Sequence, residues 1–417
     1  MTNTLSRKKI SKLMLSFLFF LYIFQPTLVK ITLVYILDIV FLIIIILNNG
    51  MKPIVKINKS LKKALMGFLP FLFYFIIYMF INVVIFRDFK ETEIYYENIK
   101  KVVFTAIHFV ISVTFLLSVK QKKRYTNTDI IDIFILSSFW QLVCVVIAYF
   151  SATVRSLFIN LTINNSKIQS IVKSLLGAGS RRGYGFAGNL FDHFGFICSL
   201  LLVLILIAGI ERRKTSLMIL SFLMLIPSIL NTRTGILLSL VGIIVVFMKY
   251  FSKMRFESLL KGLLIAVVGV ALGYYVVNNM SNDTFDWVYE GMEEVKKLIF
   301  ENEKTGTFNV LTKNINLPNN ILFGTGGEPR EYSVIGTDIG YIKSIWMYGL
   351  IGTILLLSGY ISLFYKLYKS SKMKKNRCIA ICFLLMFLLY MIKLFPCHYP
   401  GSNFIMLGIP ILLMDEK

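Results

Sequence analysis

Three arginines lie beside glycine and threonine at the ends of apolar segments, where they could bind a phosphate. Arg181 and Arg182 begin the stretch RRGYGFAGN at residues 181–189, and Arg233 lies in the short turn NTRTG at residues 231–235. A guanidinium group binds phosphate oxygens in pairs and stays protonated at physiological pH. These arginines therefore predict contacts to a phosphate or pyrophosphate. The alternative is that each reaches along apolar surface to a phospholipid head group.

Glycines and basic residues near residue 325 form a second group of candidates. In the segment NNILFGTGG, Gly324 and Gly326 could turn successive backbone N–H groups toward an anion, although a plain turn requires the same glycines. Arg330 and Lys343 would add positive charge to such a site. Lys343 is expected inside a helical bundle, where an ionisable side chain is a functional candidate.

Asp338 and His193 are candidates for proton transfer and for polar contacts to a substrate. Asp338, in the stretch GTDIGY, precedes an apolar segment. Its carboxylate could cap the helix that follows, or it could orient a hydroxyl group and take its proton. His193 begins another apolar segment, where it could contact the substrate or act only as a hydrogen-bonded interfacial histidine.

The motifs of this chain predict neither a metal nor a cofactor. The sequence has no nucleotide-binding fingerprint, no cluster of metal ligands and no Ser-His-Asp pattern, and its three histidines are far apart. The five cysteines in 417 residues exclude a disulfide scaffold.

The composition places these motifs in a membrane protein. Hydrophobic residues make up 56% of the chain and charged residues 16%, with a mean hydropathy of +0.72. Soluble domains carry about 25% charged residues. Because backbone polar groups cannot remain unpaired in lipid, the apolar segments must be helices.

The predicted fold class is all-α and polytopic, with about twelve transmembrane helices, each needing about 20 apolar residues. The predicted spans are residues 13–27, 29–47, 64–86, 102–119, 130–150, 191–210, 215–230, 234–248, 259–277, 338–365, 378–395 and 402–414. The whole chain, 1–417, is predicted to form a single membrane domain.

Basic residues predict the orientation of these spans. The chain carries 45 Lys and Arg against 22 Asp and Glu, a formal net charge of +23. If the N-terminus is cytoplasmic, the dense basic loops all fall on the inner side, as the positive-inside rule requires. Both termini are therefore predicted to be cytoplasmic. The charge reflects topology, and no RNA-binding motif or separate basic domain indicates nucleic acid as a partner.

Two predicted loops on the outer face are long, at residues 151–190 and 278–337. Loops of this length are uncommon unless they are functional. The second loop carries apolar residues at helical spacing over 285–299, which predicts an amphipathic helix on the membrane surface or over a cavity, or one that merely caps the bundle. Chemistry is therefore expected at the extracytoplasmic boundary of the bilayer.

Taken in order, the motifs over residues 175–365 resemble those of the O-antigen polymerase and O-antigen ligase superfamily, which are bacterial inner-membrane glycan-joining proteins. The resemblance rests on the Arg-Gly-rich stretch at 181–189, the turn NTRTGILLSL, the long outer loop, the segment LFGTG, and TDIGY followed by YGLIG. The first five spans contribute only a compatible topology.

The resemblance implies a GT-C-like, metal-independent glycosyltransferase that uses a glycan on undecaprenyl pyrophosphate as donor. In such proteins, arginines at positions like Arg182 and Arg233 would hold the pyrophosphate. Ligase-like members carry a histidine where this chain has Asp338, which favours a polymerase and leaves the general base open. The resemblance also implies the lipid bilayer and a chain-length regulator in the same membrane as partners.

Three other functions compete with polymerisation. A ligase would transfer the glycan to the lipid A core. A lipid-linked oligosaccharide flippase also has about twelve spans, but transporters often show internal repeats, and the two halves of this chain show no convincing repeat. A membrane scaffold would leave the arginines on the outer side unexplained.

Overall fold

The computed structural model describes residues 2–28, 31–49, 59–82, 92–122, 125–162, 184–188, 191–250, 315–329 and 339–414, with isolated positions at 293, 296, 297 and 301. Within these ranges the chain is helical except for turns, short connecting segments and one antiparallel hairpin of two-residue strands, β1 (Thr27–Leu28) and β2 (Ile31–Thr32). The predicted all-α class is confirmed for this part of the chain.

The described helices follow the predicted spans closely. In chain order they are α1 (Thr2–Phe24), α2 (Leu33–Asn49), α3 (Lys59–Phe80), α4 (Thr92–Lys122), α5 (Asn127–Phe150), α6 (Ala152–Thr162), α7 (Phe191–Arg212), α8 (Thr215–Leu223), α9 (Leu225–Asn231), α10 (Arg233–Tyr250), α11 (Gly340–Ser370), α12 (Lys374–Tyr390), α13 (Pro400–Met406) and α14 (Gly408–Met414).

Six of these helices are long and apolar enough to cross a membrane, namely α3, α4, α5, α7, α10 and α11. Shorter apolar helices cover Ile10–Phe24, Leu33–Leu47, Thr215–Asn231 and Pro400–Met414. Helix α3 also exposes the large apolar side chains Phe73, Ile76 and Phe80. Contiguous exposed apolar surface of this kind fits a lipid environment better than water. The chain is a helical membrane protein.

Two predicted spans are each divided into two separate helices, and proline accounts for both divisions. The span at 215–230 consists of α8 and α9, which meet at Met224, and Pro227 has no N–H to donate to the carbonyl of residue 223. The span at 402–414 consists of α13 and α14, and Pro410 interrupts it in the same way.

Some sequence predictions concern segments that the structure describes differently or not at all. The first long loop, predicted at 151–190, begins with helix α6 and so is partly helical. The predicted span at 259–277 and most of the predicted amphipathic helix at 285–299 lie outside the described residues.

The helices group into two compact units. The first contains Met1–Ile44 and Val119–Met292, and the second contains Ile45–Ser118 and Glu293–Lys417. Each unit therefore draws on two separate stretches of the chain.

In the first unit, α7 lies at the centre and packs against α5, α8, α9 and α10. Its most apolar window is 94% buried. Small residues one turn apart, Gly195 and Ser199 on α7, face Gly235 and Ser239 on α10. A Cβ added at Gly235 would lie 2.8 Å from the Cα of Gly195, and Ser199 Oγ donates to Gly235 O at 2.9 Å. Close approach through small residues is typical of membrane helices.

One end of the first unit carries an ionic cluster. Lys12 Nζ lies 2.5 Å from Asp129 Oδ1 and 3.5 Å from Asp132 Oδ2, and Arg212 also pairs with Asp132. Lys12, Asp129 and Arg212 belong to segments predicted for the cytoplasmic side, and Asp132 lies near the start of the predicted span 130–150.

In the second unit, α11 packs against α3, α12 and α14. This helix is broken at Gly349, where φ is 69° and ψ is 176°. Almost only glycine adopts that conformation without strain. The break leaves carbonyl groups on one side and N–H groups on the other without helical partners.

The segment 315–329 supplies the partners that the break of α11 needs. The N–H groups of Leu350 and Ile351 donate to the carbonyls of Ile321 and Leu322 at 2.8 and 3.3 Å. In the opposite direction, the N–H of Thr325 donates to Trp346 O at 2.7 Å. Irregular backbone is tolerated in membrane proteins where other protein groups satisfy it in this way.

Substitution of Gly349 by alanine should destabilise the protein. The added Cβ would collide with the carbonyl of Leu322, and the backbone conformation alone costs about 1–3 kcal/mol for other residues. Thermal unfolding in detergent should show a clearly lower Tm for Gly349→Ala. The matched control is Gly67→Ala on α3, where the nearest atom to a new Cβ is Ser362 Oγ at 3.4 Å, so its Tm should be unchanged or higher. Equal Tm values for the two variants would contradict this role of the break.

Candidate functional site

The docked segment 315–329 brings an acidic side chain against a basic one in the second unit. Asn98 on α4 donates to the carbonyl of Gly326 at 2.7 Å and fixes the end of the segment. Two residues further on, Glu328 Oε1 lies 3.1 Å from Lys101 Nζ, one turn along α4 from Asn98. Both side chains are about one-third exposed, at 29% for Glu328 and 34% for Lys101. An ion pair at this depth contributes little to stability, about 0–1 kcal/mol.

Glu328 remains ionised because of two ammonium groups. Partial burial raises its pKa, but the positive charges of Lys101 and Lys343 outweigh burial and hold the pKa of this carboxyl below its usual value. Lys343 lies in the first turn of α11. The cluster therefore combines two cations with one anion and has one positive charge in excess.

His398 lies in the same unit, in the connection between α12 and α13, and pairs with a buried tyrosine. Its Nε2 atom is 2.6 Å from the Oη atom of Tyr348, the residue just before the break in α11. The imidazole ring also packs edge-on against Phe395, with centroids 4.9 Å apart. Tyr348 is 1% exposed, so this hydrogen bond is shielded from solvent.

The connection that carries His398 is held rigidly by the start of α13. Asn403 Nδ2 donates to Cys397 O at 2.6 Å, and Ser402 Oγ donates to Pro396 O at 3.2 Å. Tyr360 on α11 donates to Asn403 Oδ1 at 3.2 Å. These hydrogen bonds join residues just before His398 to residues just after it, and so they fix the position of His398.

The surroundings of His398 favour its neutral form. Desolvation lowers its pKa to about 4, the nearby charge of Glu328 opposes this shift, and the charge of Lys101 adds to it. At neutral pH the ring is uncharged and can accept a proton or a hydrogen bond. Desolvation also raises the pKa of the neighbouring Cys397 thiol to about 12, so this thiol is not a nucleophile.

A largely apolar cavity of about 90 Å³ opens beside His398 within the second unit. Its polar wall is formed by Tyr348, Tyr360, Cys397, His398 and Asn403. The remaining lining is mainly aliphatic and aromatic: Leu65, Phe68, Phe71, Leu72, Val102, Thr105, Ala106, Phe109, Leu356 and Leu407. An apolar cavity with a few polar groups at one end is the usual form of a ligand site.

The arrangement joins three chemical capacities in one unit. The Lys101, Lys343 and Glu328 cluster can attract an anion, His398 can accept a proton, and the cavity can take up hydrocarbon. All four segments that contribute, 92–101, 315–329, 340–348 and 395–399, are predicted to lie on or next to the outer face.

Two predicted site glycines have a structural role in this arrangement. The N–H of Gly324 donates to Asn320 O at 2.7 Å, and the N–H of Gly326 donates to Trp346 O at 3.2 Å. These N–H groups therefore bind protein carbonyls instead of converging on an anion, which replaces the anion-nest interpretation. Both glycines have positive φ, 73° and 83°, and a side chain on Gly324 would meet the backbone of α11.

Arg233 and His193 lie in the first unit, near the contact between α7 and α10. Arg233 is the first residue of α10, and Thr232 caps this helix by accepting from the N–H of Gly235 at 2.8 Å. His193 precedes Gly195, the residue of α7 that meets Gly235. A cation at a helix N-terminus is opposed by the helix dipole, so a bound anion would relieve the half-buried Arg233.

Four predicted site residues, Arg181, Arg182, Arg330 and Asp338, lie outside the described residues. The segment just after the arginine pair is described and is anchored in the first unit. Gln141 donates to Tyr184 O at 2.5 Å, and the N–H of Gly188 donates to Phe24 O at 2.9 Å.

Sequence reasoning missed Lys101, Glu328, Tyr348 and His398 as site residues. Lys101 follows Lys100 in a polar stretch, and His398 stands alone near the end of the chain, so neither belongs to a motif. For Lys101 and His398 the signal that could have found them is topological, because both are predicted next to the outer ends of spans. In the described part of the chain, no three His, Cys, Asp or Glu side chains are grouped so as to hold a metal ion.

No known protein family matches this chain, and no curated protein sequence is significantly similar to it.

The lowered pKa of His398 predicts a specific dependence of stability on pH. Between the ordinary value of 6.5 and about 4, the unfolded chain binds a proton that the folded chain does not. The free energy of unfolding should therefore fall as the pH is lowered, by about 2 kcal/mol between pH 7 and pH 5. Tm measured at both pH values should show a smaller drop for His398→Gln than for the wild type.

The control for this measurement is His108→Gln, which replaces a buried histidine on α4 that does not line the cavity. This variant should keep the drop in Tm of the wild type. A drop in His398→Gln as large as that of the wild type would show that His398 is not the group that titrates.

Proposed function

We propose that this protein is a membrane glycosyltransferase, GT-C-like in architecture, that joins oligosaccharide repeat units carried on undecaprenyl pyrophosphate. The reaction would take place at the extracytoplasmic face of a bacterial inner membrane and yield an O-antigen or capsular polysaccharide. The observation that carries the proposal is the meeting of two ammonium groups, a carboxylate and a neutral histidine near one apolar cavity in the second unit.

The charges support an anionic substrate at this place. Lys101 and Lys343 together exceed the charge of Glu328, and the Lys101–Glu328 contact is accessible to a ligand. A pyrophosphate would compete with Glu328 for the ammonium groups, and charge-assisted hydrogen bonds to phosphate are stronger than neutral ones.

The cavity supports a substrate with a hydrocarbon portion. Its wall is almost entirely apolar apart from the polar groups around His398. A lipid-linked glycan presents hydrocarbon, pyrophosphate and sugar in that order, and the site offers an apolar lining, ammonium groups and hydrogen-bonding side chains. A soluble nucleotide sugar has no hydrocarbon chain that could fill the apolar part of the cavity.

The chemistry of the donor explains how such a site could work. Pyrophosphate is a good leaving group, so the barrier falls mainly through stabilisation of the charge that grows on its bridging oxygen. Fixed cations perform this role, and the acceptor hydroxyl needs only alignment and a base. In this proposal Arg233, Arg181 and Arg182 also contact pyrophosphate, His193 and Arg330 contact pyrophosphate or glycan, and Asp338 orients the acceptor.

A flippase for the same lipid-linked glycan is the second candidate. The observation that favours it is the break in α11, since discontinuous helices often line the substrate sites of transporters. The break is closed by backbone hydrogen bonds from segment 315–329, which favours a fixed site over a moving one. A ligase would share the donor site and differ only in its acceptor.

One reconstitution separates these candidates. The purified full-length protein in lipid nanodiscs would receive undecaprenyl-pyrophosphate-linked repeat units, without nucleotide sugar, and the products would be resolved on gels. A polymerase yields a ladder of glycans and releases undecaprenyl pyrophosphate. A ligase yields a product only when lipid A core is added. A flippase yields no new bond under either condition.

Loss of the Lys101 ammonium group should weaken use of the lipid-linked donor. We expect Lys101→Ala to lower kcat/KM by about tenfold to a hundredfold, because the variant loses one or two charge-assisted hydrogen bonds to the donor. The matched control is Lys100→Ala, because Lys100 is exposed and pairs with Glu97 on the same helix. If Lys100→Ala lowers kcat/KM as much as Lys101→Ala, the loss comes from removing positive charge anywhere on this helix. The cluster of Lys101, Lys343 and Glu328 would then have no specific role in donor use.

Replacement of Arg233 should shorten or abolish the glycan ladder. Arg233→Ala removes the charge, and Arg233→Lys keeps the charge but loses bidentate binding, so both should reduce polymer with a smaller effect for lysine. Arg213→Ala is the control, since Arg213 is exposed at the opposite end of α7. A normal ladder from Arg233→Ala, with the protein present in the membrane, would remove Arg233 from the mechanism.

Asp338→Asn tests whether the carboxylate of Asp338 orients the acceptor or only caps a helix. Asparagine caps a helix about as well as aspartate does but lacks the negative charge that would hold the acceptor hydroxyl. A lower polymerisation rate with unchanged Tm is expected, measured in the same reconstitution. An unchanged rate would assign Asp338 to structure.

A further inference from the structure

His398 lines the cavity and is held in place through one of its two ring nitrogens. His398 is fixed through Nε2, which lies 2.6 Å from Tyr348 Oη, and through its ring contact with Phe395. Among the residues that the structure describes, none forms a hydrogen bond with Nδ1. A nitrogen base oriented by a hydrogen bond to its other nitrogen is the arrangement of activated catalytic histidines.

We propose that His398 is the general base of the glycosyl transfer, and this assignment rests on the proposed function above. In this assignment Nδ1 takes the proton of the acceptor hydroxyl. The same assignment makes Tyr348 a positioning residue: it requires that Nε2–H donates to the tyrosine oxygen, which leaves the lone pair on Nδ1.

The proposed step conserves atoms and electrons. The acceptor oxygen forms a bond to the anomeric carbon of the donor glycan while the bond from that carbon to the pyrophosphate oxygen breaks. The electron pair of the broken bond remains on undecaprenyl pyrophosphate, and the proton of the acceptor hydroxyl moves to Nδ1. The imidazolium then releases this proton to water, which returns the histidine to its neutral form.

The neighbouring groups are less suited to this role than His398. The carboxylate of Glu328 is already paired with the ammonium group of Lys101. Lys101 and Lys343 are cations, and a cation cannot accept a proton. His398 is neutral and lines the cavity.

Substrate binding would make His398 a stronger base. The charged groups that act on the pKa of His398 are Lys101 on α4 and Glu328 on segment 315–329, and Lys343 acts in turn on Glu328. The titratable groups beside His398 are Tyr348 on α11, Cys397 and Tyr399. Without substrate, the pKa of His398 is about 4. A bound pyrophosphate adds negative charge, which raises the pKa of a nearby imidazole. The base would then be active only when the donor is in place.

The test is a single-turnover rate measured over a range of pH with full-length protein in nanodiscs and the lipid-linked repeat unit. We expect His398→Gln to lower the rate by about a hundredfold or more, because a general base usually accelerates a reaction by at least that factor. Imidazole added to His398→Ala should restore part of the rate. Tyr348→Phe should keep measurable activity and change the pH profile, whereas the exposed Tyr365→Phe on the same helix should match the wild type.

The outcomes distinguish this proposal from the function on which it rests. A wild type that forms no glycosidic bond overturns both. An active wild type together with a His398→Gln rate within threefold overturns only the role of His398. If His398→Gln fails to fold, the test uses the pH dependence of the wild-type rate. With a general base in the mechanism, this rate must fall tenfold per pH unit below the pKa that the base has in the complex with substrate. A flat profile there overturns the proposal.

Discussion

The break of helix α11 at Gly349 is the constraint on which the arrangement of the second unit depends. A helix interrupted inside a membrane protein leaves strong donors and acceptors that must find partners. Segment 315–329 supplies them, since its carbonyls accept from Leu350 and Ile351 and its N–H groups donate to Trp346. The same docking carries Glu328 to Lys101, and the break places Tyr348 at the end of the first half of α11, where it meets His398.

The site combines groups in charge states that complement each other. Two ammonium groups keep Glu328 ionised, while desolvation keeps His398 neutral although an anion lies nearby. Titratable groups with pKa values shifted in this way are common at functional sites. The hydrogen bonds from Asn403 and Ser402 hold the His398 connection without using its ring. Proton acceptance and anion attraction are thus assigned to different side chains.

The helical class and most spans of this chain were predictable from the sequence, because hydropathy and the need to pair backbone groups leave few alternatives in lipid. Lys343 was predictable as a site candidate for the same reason, since a charge at the end of an apolar span needs a function or a partner. Gly324 and Gly326 were recognised as special, but the N–H of Gly326 serves the break of α11 by donating to Trp346 O, 20 residues away along the chain, and the N–H of Gly324 donates to Asn320 O within its own segment. His398 and Lys101 were not predictable as a pair, because they are far apart in sequence and only packing brings them into one unit. Arg181, Arg182, Arg330 and Asp338 remain sequence predictions.

Binding of undecaprenyl pyrophosphate, without any glycan, tests most directly whether this cluster and cavity hold a lipid pyrophosphate. Native mass spectrometry of the full-length protein would compare the wild type with the Lys101→Ala and Lys343→Ala variants, and with the exposed Lys369→Ala on the same helix as Lys343. The account predicts that the lipid binds the wild type and Lys369→Ala equally and that each cluster variant weakens binding by about tenfold or more. Equal binding by all four proteins, or no binding by the wild type, would contradict it.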